Sequence, residues 1–408
     1  MIYQNAEVFL EGHFVKADII VESGIITGIY RENDTIREGQ ANAQISAEVI
    51  SGEVNGKIPG KQDNGENQEM KGSEVVDCDG MYIIPGIVDI HTHGCTGHDF
   101  SFADPQALSE MTGYYYENGI THVLATTMTN EKASLSASVK AIGEYMKNQE
   151  QGHATIEGIY MEGPFFRPEK KGAHDEKFLM PLDENYLHDF DKESGSNIKV
   201  VAFDPCLQGA EAFVKKYKDR YILSIAHTAC DYDTATNVME LGALHVTHLY
   251  NAMNDFDKRS PGIVGAFLDK PECYAEIICD GIHIHPSVLR AMFRLCPDRM
   301  VAISDSMSAT GLADGTYSLG GQKVYVKASK AVLADGTIAG SATNLFSMMK
   351  KLIEYGVEPE AAVAAVTINP ARSVHLDHLC GCIRTGRKAD FIVVDKQYNI
   401  VGRANRVL

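Results

Sequence analysis

From residue 86 onward, the chain alternates between short apolar runs and stretches with a helical pattern. The runs are mostly branched and apolar, which is typical of strands buried in a parallel sheet. Eight of them are predicted as strands, at residues 86–90, 120–126, 156–161, 198–203, 221–226, 243–247, 275–279 and 300–304. Eight strand–helix units between residues 85 and 375 predict an α/β fold of the (β/α)8 TIM-barrel type. An open doubly wound sheet is the alternative, but it usually carries a glycine-rich phosphate loop after its first strand, and the sequence has none there.

The two ends of the chain carry shorter strand patterns. Residues 2–30 contain several short apolar runs separated by turns, and residues 382–395 predict a strand, a turn and a second strand. We expect the two ends, residues 1–84 and 376–408, to close one small β-sandwich domain. Residues 32–75 are rich in Gly, Asn, Gln and Glu and contain no aromatic residue, which predicts a flexible insertion in that domain.

Composition and charge restrict the classes of function. The chain has 408 residues and a net charge of −18, and such an acidic chain is not expected to bind nucleic acid. It contains no apolar run of about 18 residues that would span a membrane, and its first residues lack the pattern of a signal peptide. Its nine scattered cysteines suit a reducing compartment better than a disulfide framework. We therefore expect a cytoplasmic protein that associates with neither nucleic acid nor membranes.

Residues with metal-binding chemistry follow several of the predicted strands. His91 and His93 lie two positions apart at the end of the first strand, so their side chains point to the same side. Other strands end in further such residues, namely Glu162, His227, His248 and Asp305. Because the C-terminal ends of the strands meet at one face of a TIM barrel, we expect all six residues to converge there. Taken singly, each histidine could instead be a hydrogen-bonded residue of the core.

The mixture of imidazole and carboxylate groups suits a divalent zinc, iron, cobalt or manganese ion and does not suit calcium. Such an ion lowers the pKa of a bound water molecule and polarises a carbonyl group. A carboxylate placed beside it, such as Asp305, can take the proton of that water and later pass it to the leaving group. This combination suits amide hydrolysis, because the poor amine leaving group must be protonated.

Longer motifs surround these residues. They are Met161-Glu162-Gly163-Pro164-Phe165, Lys170-Lys171-Gly172-Ala173-His174, His248-Leu249-Tyr250-Asn251-Ala252-Met253, Asp280-Gly281-Ile282-His283, Ser304-Asp305-Ser306-Met307 and Gly340-Ser341-Ala342. With them, the chain resembles the amidohydrolase superfamily over nearly its whole length, and within it the N-acetylglucosamine-6-phosphate deacetylases. The resemblance implies hydrolysis of the N-acetyl group of N-acetyl-D-glucosamine 6-phosphate to acetate and D-glucosamine 6-phosphate, in amino-sugar catabolism.

The resemblance also implies which residues hold metal. Glu162, His227 and His248 would be the ligands of the main ion, with zinc expected first and iron, cobalt or manganese as alternatives. His91 and His93 match family members that hold a second ion, whereas other members lack this pair and use one. One or two divalent ions per subunit are therefore expected.

The remaining implied roles concern the substrate. Asp305 would act as general base and then as general acid, and His174 would contact the acetamide and help to polarise its carbonyl. The phosphate would be bound by four residues, Asn251, the backbone of Ala252, Arg259 and His283. In the family, the arginine that matches Arg259 comes from the neighbouring subunit, which implies a homodimer with shared sites. Arginine is suited to this role because it makes paired hydrogen bonds to phosphate.

Three other interpretations fit these residues less well. Hydantoinases and dihydroorotases usually bridge two metal ions with a carboxylated lysine from the fourth strand, but here Lys199 lies at the beginning of that strand, and the bridging role would fall to Glu162. Purine deaminases carry a downstream histidine and glutamate pattern that this sequence lacks. A non-catalytic scaffold on the same fold tends to lose metal ligands, whereas this chain keeps the full set.

Overall fold

The computed structural model describes residues 1–31 and 74–404, together with the backbone of residues 406 and 407. Residues 32–73 of the predicted insertion lie outside the described residues, and Val75 already belongs to a strand. Among the described residues, no helix is long and apolar enough to cross a membrane.

Strands and helices are numbered separately in chain order. The strands are β1 (Ile2–Leu10), β2 (His13–Glu22), β3 (Ile25–Arg31), β4 (Val75–Asp77), β5 (Tyr82–Pro85), β6 (Ile87–Thr92), β7 (Gly94–Cys95), β8 (His98–Asp99), β9 (Ile120–Thr127), β10 (Thr155–Glu162), β11 (Ile198–Phe203), β12 (Ile222–Ile225), β13 (His245–Val246), β14 (Tyr274–Ile278), β15 (Met300–Ile303), β16 (Gly315–Leu319), β17 (Gln322–Lys327), β18 (Lys330–Val332), β19 (Phe391–Val394), β20 (Ile400–Arg403) and β21 (Arg406–Val407). The helices are α1 (Pro105–Glu117), α2 (Lys132–Tyr145), α3 (Glu184–Glu193), α4 (Ala210–Tyr217), α5 (Tyr232–Leu241), α6 (Gly262–Asp269), α7 (Pro286–Leu295), α8 (Leu345–Glu354), α9 (Pro359–Val366) and α10 (Ile368–Ser373).

Eight parallel strands form a nearly closed barrel. They pair in the order β15, β14, β13, β12, β11, β10, β9 and β6, so each strand lies beside the next one along the chain. The two outer strands meet beyond their ends, where the backbone N–H of Asp305 donates to the carbonyl of His91 at 2.9 Å and that of His93 donates to the carbonyl of Ser306 at 2.8 Å. The TIM-barrel prediction is confirmed, and each barrel strand overlaps its predicted run.

The local sequence explains why these elements form. All six residues of β6 are buried, as expected for a parallel strand covered on both faces. Helix α1 begins at Pro105, and the Asp104 side chain accepts a hydrogen bond from the backbone N–H of Ala107 at 2.9 Å. Proline at the first helical position and an aspartate before it are typical of helix starts. The barrel strands and the helices around them share one continuous apolar core.

Both ends of the chain contribute to a second, mixed sheet. Its strands follow the order β21, β20, β19, β5, β1, β2 and β3, with β4 paired to β1. This sheet has its own apolar core, which includes Tyr3, Ile19 and Phe391. It forms the small β-sandwich domain expected from the sequence, although the exact domain boundaries at residues 84 and 376 stay a prediction. The predicted strand at the start of residues 382–395 is wrong: residues 382–390 form no strand, Lys388 makes only an isolated bridge to Ile25, and the strand of this segment is Phe391–Val394.

A partly buried group of charges joins this domain to the barrel. The His122 ring on β9 bonds to Glu157 on β10 through Nδ1 at 2.8 Å and to Asp390 through Nε2 at 3.0 Å. The Thr121 hydroxyl donates to the same Asp390 carboxylate at 2.8 Å. Asp390 directly precedes β19, so the contact ties the last part of the chain to two barrel strands.

A three-stranded antiparallel sheet, β16 to β18, follows the last barrel strand. It was not predicted from the sequence. We call residues 315–340, which comprise this sheet and the turn after it, the flap. Leu319 and Val324 of the flap are buried against Met128 and Met307 near the C-terminal ends of the barrel strands. The flap therefore forms one wall above the face where the predicted site lies.

Candidate metal centre

Three side chains meet at the C-terminal ends of barrel strands. Glu162 is the last residue of β10, and His227 and His248 follow β12 and β13. The two imidazole Nε2 atoms lie 3.2 Å apart, and Glu162 Oε1 lies 3.1 Å from that of His227 and 3.0 Å from that of His248. Ligand atoms at about 2.0–2.1 Å from a tetrahedral zinc ion lie about 3.3 Å from one another. This triangle therefore has the dimensions and the chemistry of a metal-binding set.

A second group of donors adjoins the first. His93 Nε2 lies 3.2 Å from Glu162 Oε2 and 3.0 Å from Asp305 Oδ1. His91 Nε2 lies 3.7 Å from both Glu162 Oε1 and Asp305 Oδ1, is buried, and has no hydrogen-bond partner. An unpartnered buried nitrogen facing two carboxylates is well suited to bind a cation. Glu162 thus lies between the two groups, with Oε1 near His227, His248 and His91 and Oε2 near His93.

The backbone bends sharply where three of these side chains emerge. The φ angles of His227, His248 and Asp305 are 45°, 28° and 44°. Residues other than glycine seldom adopt this left-handed region, and such strain persists mainly where a functional site requires it. Each bend occurs just beyond a barrel strand, and the side chains therefore turn across the mouth of the barrel.

His174 approaches the cluster from the loop after β10. Its Nδ1 is bonded to the hydroxyl of Thr129 at 2.8 Å, and its buried Nε2 lies 3.6 Å from Glu162 Oε2 without a hydrogen-bond partner. Burial, together with the neighbouring charge of His227, lowers the pKa of His174 to about 4. The ring is therefore neutral near pH 7 and can present one ring nitrogen to a ligand.

The two carboxylates at the centre remain ionised despite their burial. Burial acts to raise the pKa of Glu162, but the charge of His91 and the hydrogen bonds of the surrounding imidazoles hold that pKa well below its usual range. Burial likewise acts to raise the pKa of Asp305, and the hydrogen bond and charge of His93, with the charge of His91, outweigh it. Both groups are thus available as anions, one to bind a cation and one to accept a proton.

These residues border a cavity of about 330 Å³. Nine of the eleven residues singled out from the sequence line it: His93, Glu162, His174, His227, His248, Asn251, Ala252, His283 and Asp305. His91 is fully buried beside them. The cavity also has an apolar wall formed by Met128, Ala173, Leu319 and Ile338. Ten of the predicted site residues therefore lie in or against one pocket.

His283 reaches this pocket from the segment after β14. Its Nδ1 is bonded to Asp280 Oδ2 at 2.7 Å, and Asp280 Oδ1 accepts the backbone N–H groups of residues 282 and 283. Burial acts to lower the pKa of His283, but the hydrogen bond and charge of Asp280 outweigh it and raise the pKa above its usual value. A fixed imidazole that tends to be protonated is suited to bind an anionic group.

Arg259 does not reach this pocket within one chain. The residue is exposed, and its backbone N–H donates to the Asp257 carboxylate at 2.8 Å. Arg259 borders a different cavity of about 680 Å³, together with Tyr232 and Asp269. Its predicted contact with a phosphate, and its contribution to a neighbouring subunit, stay predictions.

Sequence reasoning missed several residues around the site. Glu276 lies inside the barrel and is bonded to His91, and the signal was a lone charge within an apolar strand. Leu319 and Ile338 come from the flap, which carried no recognisable motif. Thr129 orients His174, yet a threonine after a strand is too common to be a signal.

The comparisons with known proteins agree with this geometry. The chain is 32% identical over 321 residues to an N-acetylglucosamine-6-phosphate deacetylase of Vibrio furnissii, covering 78% of this chain and 80% of that protein. It is 33% identical over 324 residues to the Bacillus subtilis (strain 168) protein of the same name, covering 78% and 82%. The crystal structure of N-acetylglucosamine-6-phosphate deacetylase from Thermotoga maritima matches with a TM-score of 0.80 at 26% identity, covering 99% of this chain and 97% of that one. The model of the amidohydrolase family matches residues 82–407, and the chain belongs to that family.

Proposed function

We propose that this protein hydrolyses the N-acetyl group of N-acetyl-D-glucosamine 6-phosphate and releases acetate and D-glucosamine 6-phosphate, a step of amino-sugar catabolism. One observation carries the proposal. Imidazole and carboxylate groups with the spacing of metal ligands share a pocket with a candidate proton acceptor and a candidate anion-binding histidine. Relatives that are 32% and 33% identical to this chain are named for this reaction.

The metal would be held by residues at the strand ends. Glu162, His227 and His248 would bind the main divalent ion, and His91 and His93 a second one. Zinc suits this donor set best, and iron, cobalt or manganese suit it too. When bound, the metal supplies Lewis acidity that activates water and polarises the amide carbonyl.

Asp305 would transfer the proton. Its Oδ1 is anchored 3.0 Å from His93 Nε2, so the carboxylate has a fixed position at the centre of the pocket. It accepts the proton of the attacking water and then gives it to the nitrogen of the leaving amine. The low pKa of Asp305 keeps it deprotonated before the first of these transfers.

His174 would orient the acetamide. In this role the neutral ring would carry its proton on Nε2 and accept the Thr129 hydroxyl, 2.8 Å away, at Nδ1. That N–H faces the cluster and can donate a hydrogen bond to the carbonyl oxygen, on which negative charge develops during attack. A fixed donor at that position stabilises the transition state more than the substrate.

The phosphate would lie at the other side of the pocket. Asn251, the backbone of Ala252 and the imidazole of His283 line it there, and Arg259 would come from the partner subunit of a homodimer. We also propose the cytoplasm as the location, because all nine cysteines are free thiols and the substrate is a phosphorylated sugar.

Acetate release tests this function. Metal-reconstituted protein is assayed with N-acetylglucosamine, with its 6-phosphate, and with the 6-phosphates of N-acetylgalactosamine and N-acetylmannosamine. We expect a strong preference for N-acetylglucosamine 6-phosphate. Equal rates of acetate release with and without the phosphate would contradict the proposed phosphate-binding residues. Acetate release from none of the four sugars would refute the deacetylase function.

A further inference from the structure

Glu276 is a charged residue in the middle of a buried barrel strand. It lies on β14 between Ala275 and Ile277, and none of its surface is exposed. A carboxylate in such a place is costly unless specific partners stabilise it. It does not belong to the set of proposed metal ligands, so its partners must explain why it is there.

Two of the proposed metal ligands, His91 and His248, are hydrogen-bonded to it. Glu276 Oε2 lies 2.8 Å from Nδ1 of His91 and also accepts the backbone N–H of His248 at 3.2 Å. The backbone carbonyl of Glu276 accepts the N–H of Leu249 at 2.7 Å. Because Oε2 already accepts one N–H group, it acts as an acceptor for His91 as well.

This contact determines the state of the His91 ring. When the ring is neutral, as a metal ligand must be, a proton held on Nδ1 leaves the lone pair on Nε2, which is the atom that faces Glu162 and Asp305. That Nε2 is buried, has no hydrogen-bond partner, and lies 3.7 Å from both Glu162 Oε1 and Asp305 Oδ1. A carboxylate behind a histidine fixes the tautomer and makes the free nitrogen a stronger ligand.

His122 provides an internal comparison. It is partly buried beside carboxylates, and both of its ring nitrogens are occupied, one by Glu157 and one by Asp390. Its contacts are therefore complete without a ligand. His91 has one nitrogen occupied and one without a hydrogen-bond partner beside Glu162 and Asp305, which is the arrangement expected of a ligand.

We infer that Glu276 is the positioning residue that makes His91 a metal ligand, and that it thereby controls binding of the second ion on the His91 and His93 side of the pocket. This inference rests on the metal site of the proposed function. It predicts that Glu276 acts through the His91 ring and touches neither substrate nor metal.

The experiment measures metal binding in Glu276→Gln and Glu276→Leu. Metal-free protein is titrated with zinc in competition with a chromophoric chelator, and bound ions per subunit are counted by elemental analysis. We expect the second ion to bind about 10-fold more weakly in the glutamine variant, whose amide oxygen can still accept a hydrogen bond, and about 100-fold more weakly in the leucine variant. The first ion should lose less affinity than the second in both variants, since Glu276 contacts the ligand His248 only at its backbone N–H and the three ligand side chains of that ion remain.

Asp390→Asn is the matched control. It alters a partly buried carboxylate that contacts a histidine, but at the junction with the small domain. We expect it to lower the unfolding midpoint and to leave the affinity for both ions unchanged. A loss of the second ion in this variant too would mean that general destabilisation is responsible, and it would overturn the inference.

Two further outcomes would overturn it. One is wild-type affinity for the second ion in the leucine variant, or in the isosteric glutamine variant if the leucine variant does not fold. The other is a wild-type protein that binds a single ion. Acetate release is measured on the same wild-type sample. If the wild type binds one ion and still releases acetate, the proposed function stands and only the role of Glu276 is refuted.

Discussion

Replacing His122 by glutamine is expected to destabilise the protein by an amount that depends on pH. The ring lies between two carboxylates, Glu157 at 2.8 Å and Asp390 at 3.0 Å, and only 13% of its side chain is exposed. Burial acts to lower the pKa of His122, but the hydrogen bonds and charges of Asp390 and Glu157 outweigh it and raise the pKa to about 9. The folded protein therefore favours the charged ring.

The magnitude follows from this pKa. A rise from 6.5 to about 9 corresponds to roughly 3 kcal/mol of unfolding free energy, at about 1.4 kcal/mol for each pKa step. Because the pKa is raised in the folded state, the contribution is fully present below pH 6.5, the reference value of the unfolded chain. It is lost as the pH rises through about 9, where the folded ring also loses its proton.

Urea denaturation followed by circular dichroism at pH 6, 8 and 10 measures the effect. The gap in unfolding free energy between wild type and His122→Gln should narrow by roughly 3 kcal/mol from pH 6 to pH 10. Groups that titrate equally in both proteins cancel in this difference. His98→Gln is the control, because His98 pairs with Glu110 near the surface at 2.7 Å and should contribute less than about 1 kcal/mol. A gap of constant size across this pH range would refute the reasoning.

Three other changes test the site and the junction. Asp305→Asn should lower kcat by about 10²–10⁴-fold with the metal content unchanged, and retained turnover would remove Asp305 from proton transfer. Arg259→Ala should raise KM for the phosphorylated sugar by about 10–100-fold and leave the unphosphorylated sugar unaffected; no change for either would contradict its contact with the phosphate. Gly86→Ala should lower stability by about 1–3 kcal/mol in denaturant titrations, because the added Cβ would lie 2.1 Å from the Thr121 hydroxyl oxygen and 2.5 Å from the Asp390 carboxylate; a neutral effect would show that the junction relaxes easily.

The barrel and the centre of the site were predictable from the sequence for a shared physical reason. Parallel strands buried on both faces are mostly apolar, so they stand out as runs such as the one that leads into β6. Polar residues that end such runs stand out in the sequence against their apolar neighbours. His93, Glu162 and His248 were found in this way, and the barrel geometry brings their side chains together.

The parts that could not be predicted depend on contacts between distant segments. Leu319 lines the pocket only because the flap folds back over the barrel mouth, and its strands resemble any exposed hairpin. The charge of Glu276 was visible, but its bond to His91 joins residues 185 positions apart. The predicted strand before Phe391 was wrong because this segment instead makes turns and single contacts, such as the bridge between Ile25 and Lys388.

Whether the proposed site binds one metal ion or two depends on the His91 and His93 side of Glu162. Its Oε1 lies within 3.1 Å of His227 and His248, whereas its Oε2 lies 3.2 Å from His93. The first set has three donors at ligand spacing without any help from the second, so a single ion there needs no further residue. The second set has His93 and Asp305 in contact but requires the free nitrogen of His91, 3.7 Å from Glu162, to complete it. We therefore expect loss of Glu276, which contacts the ring of His91 but only the backbone of His248, to weaken the proposed second position more than the first.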